Sequence, residues 1–553
     1  MAENLSVAIR GSTGLRLGQP GAVKPFPPDD LRPLKDRPCR VFEYSNGGRF
    51  FLYCDTTKTE LIDLDTNKVV VTLDLKRTMS IAFSPKDTYF MLWEPYVTYA
   101  GEGQSQTPDP NLRIFNTNDG SPVTALISHK QATWKPVFSE DEKVMIRQAG
   151  SEILVHQGIG EELFSKFVFK KSFPKFDNYA LSPNGQYIAI FTPPQGAAAG
   201  NVHVCRVDPK FSVVNTKNFF NGDKTVLFWN SKSTAVLILA HVEVDSTNKS
   251  YYGQSYLYLI NVMTGDSCPI NLGKNGPVYA VRWSPKGTEF AVCYGYMPAK
   301  VTFYNFRGDP VFDLQEGPRN DIHYNVFGNI LLVCGFGNLS LGKMEFWDTE
   351  KRKLIISIEV PNTTYFEWAP DGRHFLTATT TPRLRIDNNY RLWHYSGKLL
   401  QECLYDSPNE ELWQAQFRPW PKSSLYEFNV QPLTSDQKMQ AGLLLKKTNG
   451  DQQATLIAAG AVKKAGAYVP PHLRNGNGAK AAAPPAAGGT KVQQVLSEAE
   501  KKIRALQKKV DDIAKLKEKR DRGETLQINQ IEKIEKEDEL VASLEALKLS
   551  AGA

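Results

Sequence analysis

Cysteine is scarce in this chain, with seven residues among 553. No two cysteines form a Cys-x-x-Cys pair, and none stands with a histidine at the spacing of zinc ligands. This pattern argues against a disulfide framework and against a zinc module. Long apolar runs are also missing, and the segment Met1 to Gly11 lacks a basic start followed by an apolar stretch. We therefore expect a cytoplasmic protein without a membrane segment.

The sequence also lacks the local motifs of common enzymes. There is no Gly-x-x-x-x-Gly-Lys-Ser/Thr phosphate loop and no Gly-x-Ser-x-Gly elbow, and Gly335 with Gly337 does not extend to Gly-x-Gly-x-x-Gly. The eight histidines stand alone in the sequence. These absences predict a protein that is not an enzyme and that binds no cofactor or metal. A hydrolase site assembled in three dimensions at the centre of the fold stays open as an alternative.

Charge is distributed unevenly along the chain. Residues 1–462 hold 48 basic and 46 acidic side chains, whereas residues 463–522 hold 15 basic and 6 acidic ones. Residues 523–553 reverse the sign, with 3 basic and 7 acidic side chains. A nearly neutral body therefore carries a basic arm and an acidic end. Such an arm is typical of proteins that bind nucleic acid or another polyanion.

A repeat of about 47 residues runs through the body. Each copy has a large apolar anchor, a polar or small residue, a turn, and then an alternating apolar strand, as in WSPKG at 283–287 and WAPDG at 368–372. Proline and glycine supply the turn geometry. The nine anchors are Tyr44, Phe83, Phe138, Leu181, Trp229, Trp283, Phe327, Trp368 and Phe417.

The repeat predicts an all-β, WD-repeat-like β-propeller with nine blades. Eight blades, or a β-sandwich or two stacked β domains, are the alternatives. A further strand in most intervals, such as residues 112–116 or 344–348, is interpreted as an outer blade strand. We expect the propeller to span residues 1–433, with an amino-terminal strand closing the last blade and hiding its open edge.

Several motifs in the second half of the body carry a family resemblance. They are CGFGNL at 334–339, EFWD at 345–348, YFEWAPDGRHFLTATT at 365–380, PRLR at 382–385, WHYSG at 393–397 and AYVPPHLR at 467–474. The chain resembles the eukaryotic translation initiation factor 2A family along nearly its whole length. The resemblance implies a nine-bladed propeller. It also implies a factor that directs initiator methionyl-tRNA to the small ribosomal subunit without its own GTP hydrolysis, for specific mRNAs or conditions.

The carboxyl-terminal part is predicted to contain a linker and helices. Residues 434–489 are expected to be an extended, low-complexity linker that includes the AYVPPHLR segment. Residues 490–549 are expected to form a charged α-helical region of two helices, because apolar residues such as Leu496, Ile503 and Val510 recur at heptad spacing. Lys501, Lys508, Lys515 and Arg522 recur every seven residues on another face of the first helix.

The basic side chains of the arm are the candidate contacts to the ribosome or nucleic acid. The alternative interpretation is a solubilising helix face. A scaffold of the initiation machinery that does not bind tRNA directly is the alternative function. The expected partners are the small ribosomal subunit, initiator methionyl-tRNA, mRNA and other initiation factors, and the chain is expected to be monomeric. The candidate residues are Lys463, Lys464, Arg474, Lys501, Lys502, Arg504, Lys508, Lys509, Lys515, Lys517, Lys519, Arg520 and Arg522.

Overall fold

The structure is a computed structural model of the chain. It describes residues 4–28, 36–97, 109–196, 198–219, 222–242, 254–337, 340–405, 407, 410–439, 441, 513 and 517. Residues 1–462 and 463–553 form two separate units. Nearly all described residues belong to the first unit, which consists of β-strands.

The strands follow one another in short antiparallel runs. Near the amino terminus lie β1 (Val7–Gly11), β2 (Gly14–Gly18) and β3 (Lys24–Pro25). Blades 1 to 4 are built in turn from β4 (Val41–Tyr44), β5 (Phe50–Cys54), β6 (Thr59–Asp63), β7 (Lys68–Leu73); β8 (Ser80–Phe83), β9 (Tyr89–Trp93), β10 (Leu112–Asn116), β11 (Pro122–Leu126); β12 (Val137–Phe138), β13 (Val144–Ala149), β14 (Glu152–Gln157), β15 (Phe169–Ser172); β16 (Asn178–Leu181), β17 (Tyr187–Thr192), β18 (Gly200–Arg206), β19 (Val213–Phe219).

The second half of the unit repeats this arrangement. Blades 5 to 8 are built from β20 (Lys224–Trp229), β21 (Ala235–Val242), β22 (Gln254–Asn261), β23 (Ser267–Pro269); β24 (Val278–Trp283), β25 (Glu289–Tyr294), β26 (Ala299–Asn305), β27 (Pro310–Gly317); β28 (Asp321–Tyr324), β29 (Ile330–Cys334), β30 (Lys343–Asp348), β31 (Lys353–Glu359); β32 (Tyr365–Trp368), β33 (His374–Thr379), β34 (Asn389–His394), β35 (Leu399–Leu404). The last strand is β36 (Leu412–Phe417), and a short helix, α1 (Glu162–Ser165), lies between β14 and β15. Two 3₁₀ turns span Gln131–Thr133 and Lys422–Ser424.

These strands form nine four-stranded sheets, so the predicted nine-bladed propeller is confirmed and the eight-bladed and sandwich alternatives are wrong. The first strands of neighbouring blades contact each other and form the wall of a central channel. In blade 9 the order is β36, β1, β2 and β3, with Val7 opposite Phe417 and Ile9 opposite Ala415. The amino-terminal strands therefore complete a blade that the carboxyl end of the ring begins.

The meander of each blade defines two faces. We call turn face the side with the turns between the first and second strands and between the third and fourth strands; the opposite side is the loop face. The strands interpreted as outer ones, such as β10 and β30, are in fact third strands, and a fourth strand pairs outside each of them. Their side chains are largely buried because neighbouring blades cover both of their faces.

The tight turn after the first strand explains the sequence repeat. In eight blades its fourth residue has a left-handed backbone, with φ between 57° and 74°: these residues are Gly48, Asp87, Glu142, Gly185, Ser233, Gly287, Gly328 and Gly372. Glycine suits this conformation because it has no Cβ. The three copies without glycine carry a side chain that accepts a backbone N–H from the preceding blade's turn: Asp87 from Gly47, Glu142 from Lys86, and Ser233 from Asn184.

The anchors lie at the ends of first strands, with one exception. Phe327 is in the turn after β28, and Tyr324 ends that strand in its place, so the anchor predicted for blade 7 was wrong by three residues. The asparagine after Tyr324 takes the role that serine has in blades 1 to 4 and 6, as Asn230 does in blade 5. The tryptophan anchors join blades, since the indole Nε1–H of Trp283 donates to the carbonyl oxygen of Phe228 at 2.8 Å.

The chain continues across the turn face after the last blade. Phe428 stacks on Tyr395 of blade 8 at 5.8 Å between ring centroids, and its carbonyl accepts a hydrogen bond from Asn329 of blade 7. The ammonium group of Lys351 donates to the carbonyl oxygen of Val430 at 2.9 Å. Residues 435–439, at the start of the predicted linker, are helical. The rest of that linker lies outside the described residues, apart from residue 441.

Asp87 gives a direct test of these bonds between blades. Asp87→Gly places the preferred residue at a φ of 63°, yet it removes the acceptor for the N–H groups of Asn46 and Gly47. We expect the free energy of unfolding to fall by about 1–3 kcal/mol, because removal of the hydrogen bonds outweighs the relaxed backbone. Thermal and urea denaturation measure the change. A stabilised variant would show that the backbone conformation dominates.

Candidate nucleic-acid interface

The basic residues predicted from the sequence belong to the second unit. Of these candidates only Lys517 is among the described residues, where it is helical and half-buried. Lys463, Lys464, Arg474 and the remaining candidates of the arm lie outside the described residues. Their role therefore stays a prediction, as do the limits of the linker and of the two helices.

A different basic cluster lies on the outer rim of the propeller. We call it the rim cluster, and its members come from blades 3 and 4 and their connections: Lys166, Lys170, Lys171, Lys175, Arg206, Lys210 and Lys217. Lys171 and Lys217 are half-buried, and the other five side chains are exposed. The cluster belongs to the outermost strands and to turns next to them, where a long ligand can approach from the side.

Aromatic packing fixes the backbone that carries these cations. Phe169 on β15 and Phe173 just after it both meet the ring of Phe211 edge-on, at 5.8 and 5.6 Å between centroids. Phe211 is buried, and it belongs to the turn between β18 and β19 of the next blade. The ammonium group of Lys171 donates to the carbonyl oxygen of Lys210 at 3.1 Å. The two blades thus hold their lysines side by side.

Few acidic groups neutralise the rim cluster. Lys170 pairs with Glu152 at 3.0 Å, but the lysine is exposed and the glutamate only half-buried, and such surface pairs contribute little free energy. Within the described part of the chain, Lys166, Lys175 and Lys210 have no ion pair and no hydrogen bond from their ammonium groups. Their charges are thus available to an external anion.

An aromatic side chain lies among these cations. Phe167 is 42 % exposed, and the Nζ atom of Lys170 lies 5.8 Å from the centroid of its ring. An exposed ring beside ammonium groups can stack on a base while the cations contact the phosphates. Burial and then the charge of Lys171 lower the pKa of the nearby His203 imidazole, which favours its neutral form. The cluster has the chemistry of a single-strand or loop contact to RNA.

Sequence reasoning missed the rim cluster because it summed charge over the whole body. The stretch from Lys166 to Lys217 holds seven basic and two acidic residues, and acidic residues elsewhere in the body cancel this excess. A local count would have found the stretch. Only the fold, however, brings Lys171 and Lys210 together across 39 residues.

The central channel contains a second group of ionisable residues. Glu43 on β4 accepts a hydrogen bond from the Gln416 amide of β36 at 3.4 Å. Burial raises the pKa of the Glu43 carboxyl, and burial lowers the pKa of Lys135, whose charge acts on Glu43. Lys135 lines a cavity of about 970 Å³ that reaches the turn face. The central channel is the place where the alternative hydrolase site, assembled in three dimensions, would lie.

The second channel carboxylate links blades 8 and 9. Glu367 on β32 accepts the backbone N–H of Phe417 at 3.0 Å and the hydroxyl of Tyr365 at 3.1 Å. Burial raises the pKa of Glu367 to about 7. Because its carboxylate already binds two donors of the propeller wall, Glu367 has a structural role at the closing seam.

Other site classes find no support in the part of the chain that the structure describes. Those residues contain no group of three or more His, Cys, Asp and Glu side chains that could hold a metal ion. No helix among them has the length and apolar character needed to span a membrane. All seven cysteines are free thiols, five of them buried.

The relatives that match nearly the whole chain belong to one family. The family model of the eukaryotic translation initiation factor eIF2A matches residues 217–415. The chain is similar to eukaryotic translation initiation factor 2A of Caenorhabditis elegans, with 45% identity over 99% of this chain and 100% of the relative. The Drosophila melanogaster protein of the same name is 31% identical over 99% of this chain and 98% of its own length. A solved structure, described as the crystal structure of the eukaryotic initiation factor, matches with a TM-score of 0.66 and 28% identity, covering 76% of this chain and 99% of that one.

Glu367 makes stability depend on pH. Its pKa in the folded protein, about 7, is above the ordinary value of 4.5, so the folded state keeps a proton that the unfolded state has released. The free energy of unfolding therefore falls as pH rises from about 4.5 to about 7. Glu367→Gln has no titrating group at this position. We therefore expect the decrease in the free energy of unfolding between about pH 5 and about pH 8 to be smaller by about 1–3 kcal/mol in this variant. Urea denaturation at both pH values measures it.

The matched control is Glu359→Gln, an exposed carboxyl at the end of β31. In this variant the difference in the free energy of unfolding between the two pH values should be the same as in the unchanged protein. An equal response of both variants would contradict the assignment to Glu367.

Proposed function

Because the chain belongs to the eukaryotic translation initiation factor 2A family, we propose that it binds the small ribosomal subunit and directs initiator methionyl-tRNA to it, for specific mRNAs or conditions. It acts without hydrolysing GTP itself, as a binding protein and not as an enzyme, and it works in the cytoplasm as a monomer. The role in translation initiation follows from the family. The contacts to the subunit and the tRNA are the proposal.

The rim cluster is the observation that supports RNA binding by the propeller. It places five exposed cations and the exposed ring of Phe167 on one side of a body that is otherwise nearly neutral. Cations on RNA phosphates release condensed counterions, so such a surface binds in a way that salt weakens. The rim position leaves the loop face of the propeller free for other contacts, while residues 418–439 cross the turn face.

The basic arm is proposed as a second RNA contact. Residues 463–522 carry 15 basic and 6 acidic side chains, a larger excess than that of the rim cluster. Two linked contacts bind more tightly than either alone, because the first raises the local concentration of the second. The rim cluster then orients the RNA on the folded body, while the arm supplies further electrostatic attraction.

The first test reverses charges on the rim. Lys166→Glu, Lys170→Glu and Lys210→Glu, combined in the full chain, should weaken binding to small subunits and to initiator methionyl-tRNA. They should also flatten the plot of log affinity against log salt by about 0.7–0.9 for each phosphate that the variant no longer binds. Cosedimentation and filter binding across a salt series measure both quantities.

The matched control reverses lysines on or next to other outer strands. Lys68 on β7, Lys353 on β31 and Lys398 directly before β35 are exposed, so replacing all three with glutamate changes the net charge by the same amount without touching the rim cluster. Binding of this control should stay closer to that of the unchanged protein. If both variants bind equally weakly, net charge alone determines binding and the rim cluster is not a site.

The second test addresses the arm. Replacing Lys501, Lys508, Lys515 and Arg522 with glutamate should weaken binding to small subunits and reduce its salt dependence, while the propeller stays folded. Removal of residues 463–553 should have a larger effect of the same kind. Unchanged binding of both proteins would overturn the role of the arm and leave the propeller as the docking surface.

A further inference from the structure

A cavity lies on the loop face between the connections of blades 7 and 8. Its volume is about 220 Å³, and its walls include Leu341, Asn362, Thr364 and Arg383. Leu341 belongs to the connection from β29 to β30, and Arg383 to the connection from β33 to β34. These connections contain parts of the CGFGNL and PRLR motifs, which neither the rim cluster nor the arm explains.

Leu341 has an unusual backbone and an unusual exposure. Its φ is 51°, which costs a residue with a Cβ roughly 1–2 kcal/mol, and its side chain is 69 % exposed. Phe211, with a φ of 49°, is the useful contrast because its side chain is 1 % exposed and packs in a core. Burial offsets the strain at Phe211. The fold gains no comparable burial from Leu341.

Two more left-handed residues lie near the cavity: Asn362 lines it, and Asp387 belongs to the same connection as Arg383. Asn362 has a φ of 61° and Asp387 a φ of 53°, and the amide of Asn362 donates to the carboxylate of Asp387 at 3.1 Å. Strained backbone is retained where the surrounding structure enforces it, and it is concentrated at functional sites. Here the bond between the two side chains holds both connections in place.

The surface beside the cavity combines cations with an apolar side chain. Arg383 and Arg385 are exposed, and within the described residues neither forms an ion pair or a hydrogen bond from its guanidinium. Ile386, next to them, is 63 % exposed. The nearest acidic residue in sequence, Asp387, already accepts from Asn362. The connection from β33 to β34 thus presents two arginines and an exposed aliphatic side chain, and no carboxylate of the described chain pairs with these arginines.

We propose that this surface binds an acidic segment of a partner protein, which places an apolar side chain against Leu341 and Ile386 while its carboxylates pair with Arg383 and Arg385. Arginine and exposed apolar side chains are typical of protein interfaces, and arginine pairs with carboxylates through two parallel hydrogen bonds. The contrast with the rim cluster favours protein over RNA here, because Leu341 and Ile386 have no ring on which a base could stack.

The test uses photo-crosslinking from the full chain. Ile386→p-benzoylphenylalanine is added to a eukaryotic translation extract and irradiated, and the attached segment is identified by mass spectrometry. The control carries the same group at Met263, which is 69 % exposed on the turn face. We expect position 386, and not position 263, to attach to an acidic protein segment that contains an apolar residue. A synthetic peptide of that segment should then bind the purified full chain.

Two variants separate binding from folding. Arg383→Glu with Arg385→Glu should weaken binding of that peptide by about tenfold or more, as expected when interfacial charge pairs are reversed. Leu341→Gly should weaken it too, while the midpoint of thermal unfolding stays unchanged or rises, since glycine relieves the strained backbone. A structural role of Leu341 would instead lower that midpoint.

Four results would overturn the proposal. They are attachment of position 386 mainly to RNA, attachment to segments without acidic residues, attachment no stronger than from position 263, and peptide binding that the variants leave unchanged.

Discussion

The pairing of β1 with β36 is the interaction on which the propeller depends. Every other blade is a meander that is continuous in sequence, but blade 9 needs the first and the last strand of the ring. Val7 and Ile9 pack toward blade 8, and Ala8 packs toward blade 1, so this one strand fills the cores on both sides of the seam. Without it the edge of β36 would be open to other chains. The channel carboxylates, Glu43 and Glu367, lie at the same seam.

Contacts between neighbouring blades set the geometry of everything outside that seam. Where the turn after a first strand has glycine, as at Gly372, a Cβ would meet the preceding blade within 3 Å. Where it has Asp87 or Glu142, the side chain instead bonds to that blade. Close approach and hydrogen bonding are therefore two solutions to the same packing problem. Leu341 also has a left-handed backbone, but it has neither the close approach of a glycine nor a side-chain hydrogen bond to a neighbouring blade. The cavity between blades 7 and 8 differs from the turns in this respect.

The proposed binding surfaces lie on different parts of the propeller. The rim cluster faces outward from blades 3 and 4, and the cavity with Arg383 opens on the loop face. Residues 418–439 cross the turn face and belong to neither surface. This separation allows the proposed RNA and protein contacts to exist together on one folded body. The rim cluster and the cavity share no residue and no blade, so either surface can bind its ligand without the other.

The sequence by itself determined the blade count, the strands and their turns, because each of these depends on residues close together in the chain. Serine or asparagine, proline and glycine specify a turn locally. The prediction was wrong about the anchor of blade 7, which is Tyr324, and it took third strands for the outermost ones. The tertiary structure alone decided which side chains meet across blades. Lys171 beside Lys210, and Gln416 beside Glu43, depend on how strands pair and blades pack, since these pairs are 39 and 373 residues apart in sequence. Local propensity cannot encode such contacts, because packing of the whole ring fixes them.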